Sequence, residues 1–317
     1  MKAAVVTELG RAPQYLDFEE PVASAGEAIA SMSAAGLHPI VKSLASGQHY
    51  ASGGQLPAIP GIDGVGVLSN GRTVYSLAAR SPYGTMAEKT VVATEKCIPI
   101  PDNLDPALAA AIANPGMSAW LSLKLRANLA PGETVLILGA TGVAGQLAVQ
   151  AARFLGAGKI IAVGRNVEAL QSLPIDAVIS LAQPEEAIGE AFSTHLGDSG
   201  IDVVIDYLWG RPTELLLATL AKGFRREGSR RTRLVEVGSS AGQTIGLSAS
   251  VLRSVDLTLM GSGFGSVPLD QIMNAIPTLF SLAAEGHLSV AIESVPLAQV
   301  EEAWSTAEKG KRIVFSI

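Results

Sequence analysis

The sequence contains a single cysteine, Cys97, among 317 residues. No internal disulfide can form, so a disulfide-stapled secreted framework is excluded and a reducing, cytoplasmic compartment is expected. Charge is scarce too: Asp, Glu, Lys and Arg make up 16% of the chain and sum to −6. That balance offers no global attraction to phosphate backbones and argues against nucleic acid as a partner. Disorder needs the opposite composition from a chain that is 48% hydrophobic. The four histidines, His38, His49, His195 and His287, are too scattered to join one cysteine in a tetrahedral zinc site, so no metal is expected. A membrane span is missing as well. The longest uncharged stretch, residues 134–152, is broken by Gly139, Gly142 and Gly145 and reads as strand, turn and helix. The opening residues 1–8 carry too short an apolar stretch for an export leader and read as a strand.

What is present divides into two textures, and the length suits about two domains. Up to about residue 104, short apolar runs such as 65–68, 73–77 and 86–92 alternate with Gly, Pro, Ser and Asn, as in a small, mostly β barrel or sandwich; the stretch 39–46 is the exception, with helical spacing. From Pro106 an Ala-rich helix over 106–113 leads into apolar strands at 134–138, 159–163, 177–180, 203–206, 233–237 and 257–260, with helical stretches between most of them. Strands separated by crossovers of this kind require a parallel sheet covered on both faces, a doubly wound α/β domain. A helix over 269–285 and a closing strand over 312–315 are surplus to that domain and are expected to return to the first.

The most specific local signal is Gly139-Ala140-Thr141-Gly142-Val143-Ala144-Gly145, set between the strand 134–138 and an amphipathic helix. Read against G-x-G-x-x-G, Ala140 replaces the first glycine. Gly142 then lets the backbone approach a pyrophosphate, Gly145 permits close helix-to-strand packing, and the helix N-terminus supplies amides for the anion. The alternative reading is a tight turn with no ligand. The following strand carries no acid to bond a ribose 2′-hydroxyl. It ends instead at Gly164-Arg165-Asn166, where a guanidinium would meet a 2′-phosphate, so NADPH is expected over NADH; otherwise Arg165 is a solvated surface residue.

The β-rich start, then Pro60-Gly61-Ile62-Asp63-Gly64-Val65-Gly66, Tyr83-Gly84-Thr85-Met86-Ala87-Glu88 and the dinucleotide turn, in that order, resembles the medium-chain dehydrogenase/reductase superfamily over essentially the whole length. Within it the chain looks like the zinc-free quinone oxidoreductase branch. The resemblance implies a GroES-like β-rich catalytic domain (residues 1–112 and 264–317) and a Rossmann domain (113–263). The other common reductase device, Tyr-x-x-x-Lys, is missing after all five tyrosines. With neither a Lewis acid nor that relay, the chemistry expected is hydride delivery to an already electrophilic acceptor, a quinone or an α,β-unsaturated carbonyl. An enoyl-thioester reductase and a catalytically silent NADPH-binding sensor are the alternatives.

By the same resemblance, His38 stands where a family Asn lies beside nicotinamide and substrate, and Tyr50 lies near a substrate-pocket tyrosine, one residue out of register. Either side chain could donate to the acceptor oxygen; a structurally bonded histidine and an ordinary loop tyrosine are the competing readings. Ser118 takes the place of a Thr near the nicotinamide, or caps the next helix. Strand ends in an open α/β sheet point at the cofactor, so Tyr207, Leu208, Gly238, Ser239, Ser240, Ser262, Gly263 and Phe264 are expected to line it, with Tyr207 and Trp209 equally readable as apolar wall or core. The arginines 225, 226, 230, 231 and 233 read as a solvated loop or a docking patch for an acidic partner. The apolar strand 257–260 is expected to pair with its twin in a homodimer.

Overall fold

The computed structural model describes the chain except for residues 50, 51, 53, 54, 197–199, 223–230, 264 and 307–309. Tyr50, Phe264 and three of the clustered arginines therefore lie outside the described residues. The chain divides into one unit of Met1–Asn114 with Ile276–Ile317 and another of Pro115–Ala275.

The first unit opens with β1 (Lys2–Val5), β2 (Gln14–Asp17) and β3 (Glu27–Gly36), then α1 (Pro39–Ala45), β4 (Asp63–Leu68), β5 (Thr73–Leu77), β6 (Lys89–Ala93) and β7 (Ile98–Pro99). Residues 86–92 were expected as one run. They split because Met86 and Glu88 exchange backbone bonds with β1, through Ala4 and Lys2, before β6 pairs with β3. Next comes α2 (Pro106–Leu121). Asp105 starts it by accepting the amides of Ala107 and Leu108, and Pro106 occupies the first turn, where its missing donor costs nothing. The helix does not stop at 113 as the sequence suggested. Residues 109–113 and Met117, Ala119 and Trp120 are all buried, and that burial outweighs the break expected of Pro115. A π-helical turn, Ser122–Arg126, ends it.

The second unit continues with β8 (Thr134–Leu138), α3 (Val143–Phe154), β9 (Lys159–Gly164), α4 (Val167–Gln171), β10 (Ala177–Ser180), α5 (Glu185–Leu196), β11 (Val203–Asp206), α6 (Gly210–Lys222), β12 (Thr232–Glu236), α7 (Ala249–Ser254) and β13 (Leu257–Gly261). Its sheet is parallel throughout, in the order β10-β9-β8-β11-β12-β13. This is the doubly wound dinucleotide-binding order, whose direction of winding reverses between β8 and β11. Central strands buried on both faces explain the near-continuous apolar runs: Val135 to Leu138 and Ile160 to Val163 are inaccessible to solvent. Phe192, Leu216, Leu217 and Leu220 from α5 and α6 pack into a core with Leu136, Leu138 and Val204.

The chain then runs through α8 (Leu269–Ala284), β14 (Ala291–Pro296), α9 (Val300–Trp304) and β15 (Lys311–Ser316). In the first unit's main sheet the order is β14-β15-β3-β4-β5-β7, with β6 also on β3. Its core joins the two ends of the chain, Ala3, Leu37, Val41 and Met86 packing with Val300, Ile313 and Phe315. Among the described residues, no helix is long and apolar enough to cross a membrane.

Candidate functional site

In the second unit, β8 runs into the glycine turn at the point where the winding reverses. Gly139 has φ +86°, a conformation open to glycine. Gly145 admits no side chain: a Cβ there would stand 2.3 Å from the Gly139 oxygen and 2.7 Å from the Ala140 Cα. Gly142, the N-cap of α3, is different. It has ordinary φ of −72°, no side chain caps the helix, and an added Cβ would meet only the Gly139 oxygen, at 3.5 Å. The space in front of it is open, and the first-turn amides of Val143 and Ala144 face it without a capping side chain. Ala140 is buried, its amide bonded to the Val163 oxygen beside that of Gly139. An added Cβ on Gly164, at the end of β9, would stand 3.4 Å from Thr141. Arg165 follows, exposed, with no ion-pair partner among the described residues. Asn166 is committed to capping α4, its Oδ1 accepting the Ala169 amide at 3.1 Å.

Asp206 organises the neighbouring strand end. Its carboxylate is buried, accepting the amides of Leu208 (2.8 Å) and Trp209 (2.9 Å) on one oxygen and the Thr213 hydroxyl on the other. These bonds stabilise a turn in which Trp209 and Gly210 have positive φ. Burial pushes the Asp206 carboxyl up despite the three donors, and burial followed by the charge of Asp206 pushes Glu236 up beside it. The turn presents Tyr207 and Leu208 to the glycine turn: a Cβ on Gly139 would lie 3.1 Å from Leu208 and 3.3 Å from the Tyr207 Cβ. Gly238-Ser239-Ser240 closes over the other side, the Ser240 hydroxyl donating to the Tyr207 oxygen at 2.9 Å. Trp209 packs on the core, which supports its reading as an apolar wall.

Ser118 lies inside α2 and caps nothing; its carbonyl accepts the Ser122 hydroxyl. Burial pushes the Tyr207 phenol well up, and a hydrogen bond with the Ser118 side chain acts in the opposite direction. At the end of β13, Ser262 donates its amide to Glu236, and the Gly263 amide is held by the Ser266 hydroxyl at 2.8 Å.

In the first unit His38 is fully buried, its Nε2 3.2 Å from the Asp63 Oδ1 but poorly aligned with it. Tyr75 donates to the other Asp63 oxygen at 2.8 Å, and burial with the Asp63 charge holds its phenol well above the ordinary range. The His38 ring fills the space beside Gly36, where a Cβ would stand 2.6 Å from Nε2. This favours the structural reading of His38. Nothing in the sequence spacing paired it with Asp63 and Tyr75. Asp206 was likewise passed over as a turn builder, although an Asp two residues ahead of a turn is a recognisable signal. Among the described residues no group of three or more His, Cys, Asp or Glu is placed to hold a metal.

No family model matches the chain. A protein of Emericella nidulans described as a probable NADPH-dependent quinone reductase is 28% identical, with 99% of each chain aligned. The structure of a quinone oxidoreductase from Thermus thermophilus, also determined with NADPH, is 27% identical at a TM-score of 0.79, covering both chains fully. An NAD-dependent alcohol dehydrogenase structure shares the fold at 21% identity and a TM-score of 0.83, again over both whole chains.

Proposed function

The chain belongs to the medium-chain dehydrogenase/reductase superfamily, in its quinone-reductase-like branch, with GroES-like and Rossmann domains, and from that premise we propose that it is an NADPH-dependent oxidoreductase passing hydride to a quinone or an α,β-unsaturated carbonyl without zinc. The observation that carries the proposal is the open, uncapped cradle at Gly142, lying where the sheet reverses its winding. The residues fit the dinucleotide: the uncapped amides of Val143 and Ala144 for the diphosphate, Arg165 for a 2′-phosphate, and the 207–208 and 238–240 segments for the remainder. NADPH, when bound, supplies the hydride. The protein's part is to orient and to exclude water, because a conjugated acceptor spreads the developing negative charge itself.

Zinc independence is proposed from the donor set. The single thiol is on Cys97, where burial pushes its pKa up, and the buried His38 faces one carboxylate. The sealed setting of His38 leaves Tyr50 and solvent as the proposed proton sources. A soluble, cytoplasmic homodimer completes the proposal. The test is loss of reduced-nicotinamide absorbance when protein and NADPH meet a panel of quinones and enones. Turnover with at least one acceptor class is expected, and a chelator should leave it unchanged. Binding of NADPH with no turnover across the panel would replace the enzyme by a nucleotide sensor.

A further inference from the structure

We infer that the 207–210 turn is a proton-controlled clamp beside the glycine turn, tightened by a proton held between Asp206 and Glu236 and loosened when that proton leaves; its effect on coenzyme rests on the proposed use of NADPH. The turn is strained. Trp209 has φ +55°, a left-handed backbone that a bulky residue keeps only when its surroundings hold it there. The holder is the Asp206 carboxylate, through the amides of Leu208 and Trp209 and the Thr213 hydroxyl. Glu236 stands level with Asp206 on the next strand. Neighbours in register share a face of the sheet, with strands about 4.8 Å apart. Val204 and Leu234, two residues earlier on each strand, accordingly pack into one core with Phe192 and Leu216.

The two acids are not equivalent. Asp206 has three donors to stabilise its charge, whereas the Glu236 side chain has no hydrogen-bond partner among the described residues, so a proton shared by the pair rests on Glu236. No cation among the described residues is set against it. From β13 the residue level with Glu236 is Gly261, whose oxygen holds Arg126. On α6, Arg211 is paired with Glu185 and Glu214, and Lys222 is exposed at the far end; on α7, Arg253 is exposed. Burial, and then the charge of Asp206, holds the Glu236 carboxyl above its ordinary range. Acids raised in this way bind protons more tightly in the folded chain than in the unfolded one. Their contribution is therefore fullest at acid pH and is lost as the pH rises through the raised value. Once Glu236 is ionised, two like charges stand side by side with little water between them. Drawing Asp206 towards solvent relieves them at the expense of the amides it holds. The turn then loosens, together with the Tyr207 and Leu208 that it presents to the glycine turn.

The experiment follows amide hydrogen exchange at Leu208 and Trp209, and NADPH affinity by titration calorimetry, from about pH 5 to about pH 8 on wild-type protein and Glu236→Gln. After correction for the intrinsic pH dependence of exchange, wild-type protection of these two amides is expected to fall roughly three- to tenfold over that range while Glu236→Gln stays level. The gap in NADPH affinity between the two proteins, absent at acid pH, should open by a similar factor in favour of the glutamine variant. Glu236→Leu, neutral at every pH, carries the test if the glutamine variant does not fold. Parallel exchange profiles for wild type and variant overturn the clamp. So does a gain in protection spread evenly over the sheet with no excess at Leu208 and Trp209, the mark of general repulsion. Divergent exchange with parallel NADPH affinities overturns the coupling to coenzyme. Wild-type protein that binds no NADPH overturns the proposed cofactor, and the exchange profiles then judge the clamp alone.

Discussion

Arg165 is the residue on which the proposed preference for NADPH turns. It is exposed, follows the glycine that ends β9, and has no acid paired with it among the described residues, so its charge is available to an incoming phosphate. A charge-assisted bond contributes about 1.5–3 kcal/mol, and solvent exposure draws the value toward the lower end. Arg165→Ala is therefore expected to weaken NADPH roughly tenfold in calorimetric titration and leave NADH nearly unchanged, with the difference shrinking at high salt. Equal losses for the two coenzymes would take Arg165 out of the site. The place of this side chain after β9 was legible in the sequence because it follows from chain order: strand, glycine, then whichever residue comes next. His38 was not legible in the same way. Its surroundings come from Asp63 on β4 and Tyr75 on β5, which meet it only through the sheet, and no spacing encodes such a meeting.

The strand–turn–helix element built by β8 and α3 holds two glycines that look alike in sequence and differ in what surrounds them. At Gly145 a methyl group would collide with the backbone of Gly139 and Ala140, so α3 would have to move off the strand. Overpacking of that kind costs about 1–3 kcal/mol, and Gly145→Ala should lower the melting temperature by roughly 3–10 °C. At Gly142 the backbone is in an ordinary region and the methyl would make only an ordinary contact, 3.5 Å from the Gly139 oxygen. Gly142→Ala should therefore melt like the wild type while losing NADPH affinity by roughly tenfold or more, because the methyl takes the room a diphosphate needs. Unaltered NADPH binding by this variant would mean the diphosphate lies elsewhere. Most of the parallel sheet was readable from its apolar runs, since a strand buried on both faces has little choice of composition. The continuation of α2 through Pro115 was not, because it depends on burial around the whole helix, a tertiary effect that local propensity cannot report.

For the whole molecule, the question is what covers the edge of the second unit's sheet. Thr232 donates to Asp256, and Ser262 to Glu236. That register turns the backbone groups of Leu257, Leu259 and Gly261 away from β12. Two of those groups are used within the chain: the Leu257 amide bonds to Val255, and Arg126 donates its Nε–H to the Gly261 oxygen at 2.8 Å. The arginine thus closes the edge at its carboxyl end, as native proteins do to blunt unwanted pairing. Leu259 is left in the middle with both backbone groups facing outward, and its side chain is exposed, as is that of Leu252 on α7. A second copy related by a two-fold axis satisfies such an edge by pairing with itself, antiparallel and centred on Leu259. The wild-type protein should accordingly sediment at twice the chain mass at micromolar concentration. Leu259→Lys places like charges opposite each other at the centre of that pairing and should yield a monomer that still binds NADPH, since the glycine turn follows β8, with β11 and β12 lying between it and the edge. A Leu259→Lys variant that remains dimeric would show that this edge is not the interface.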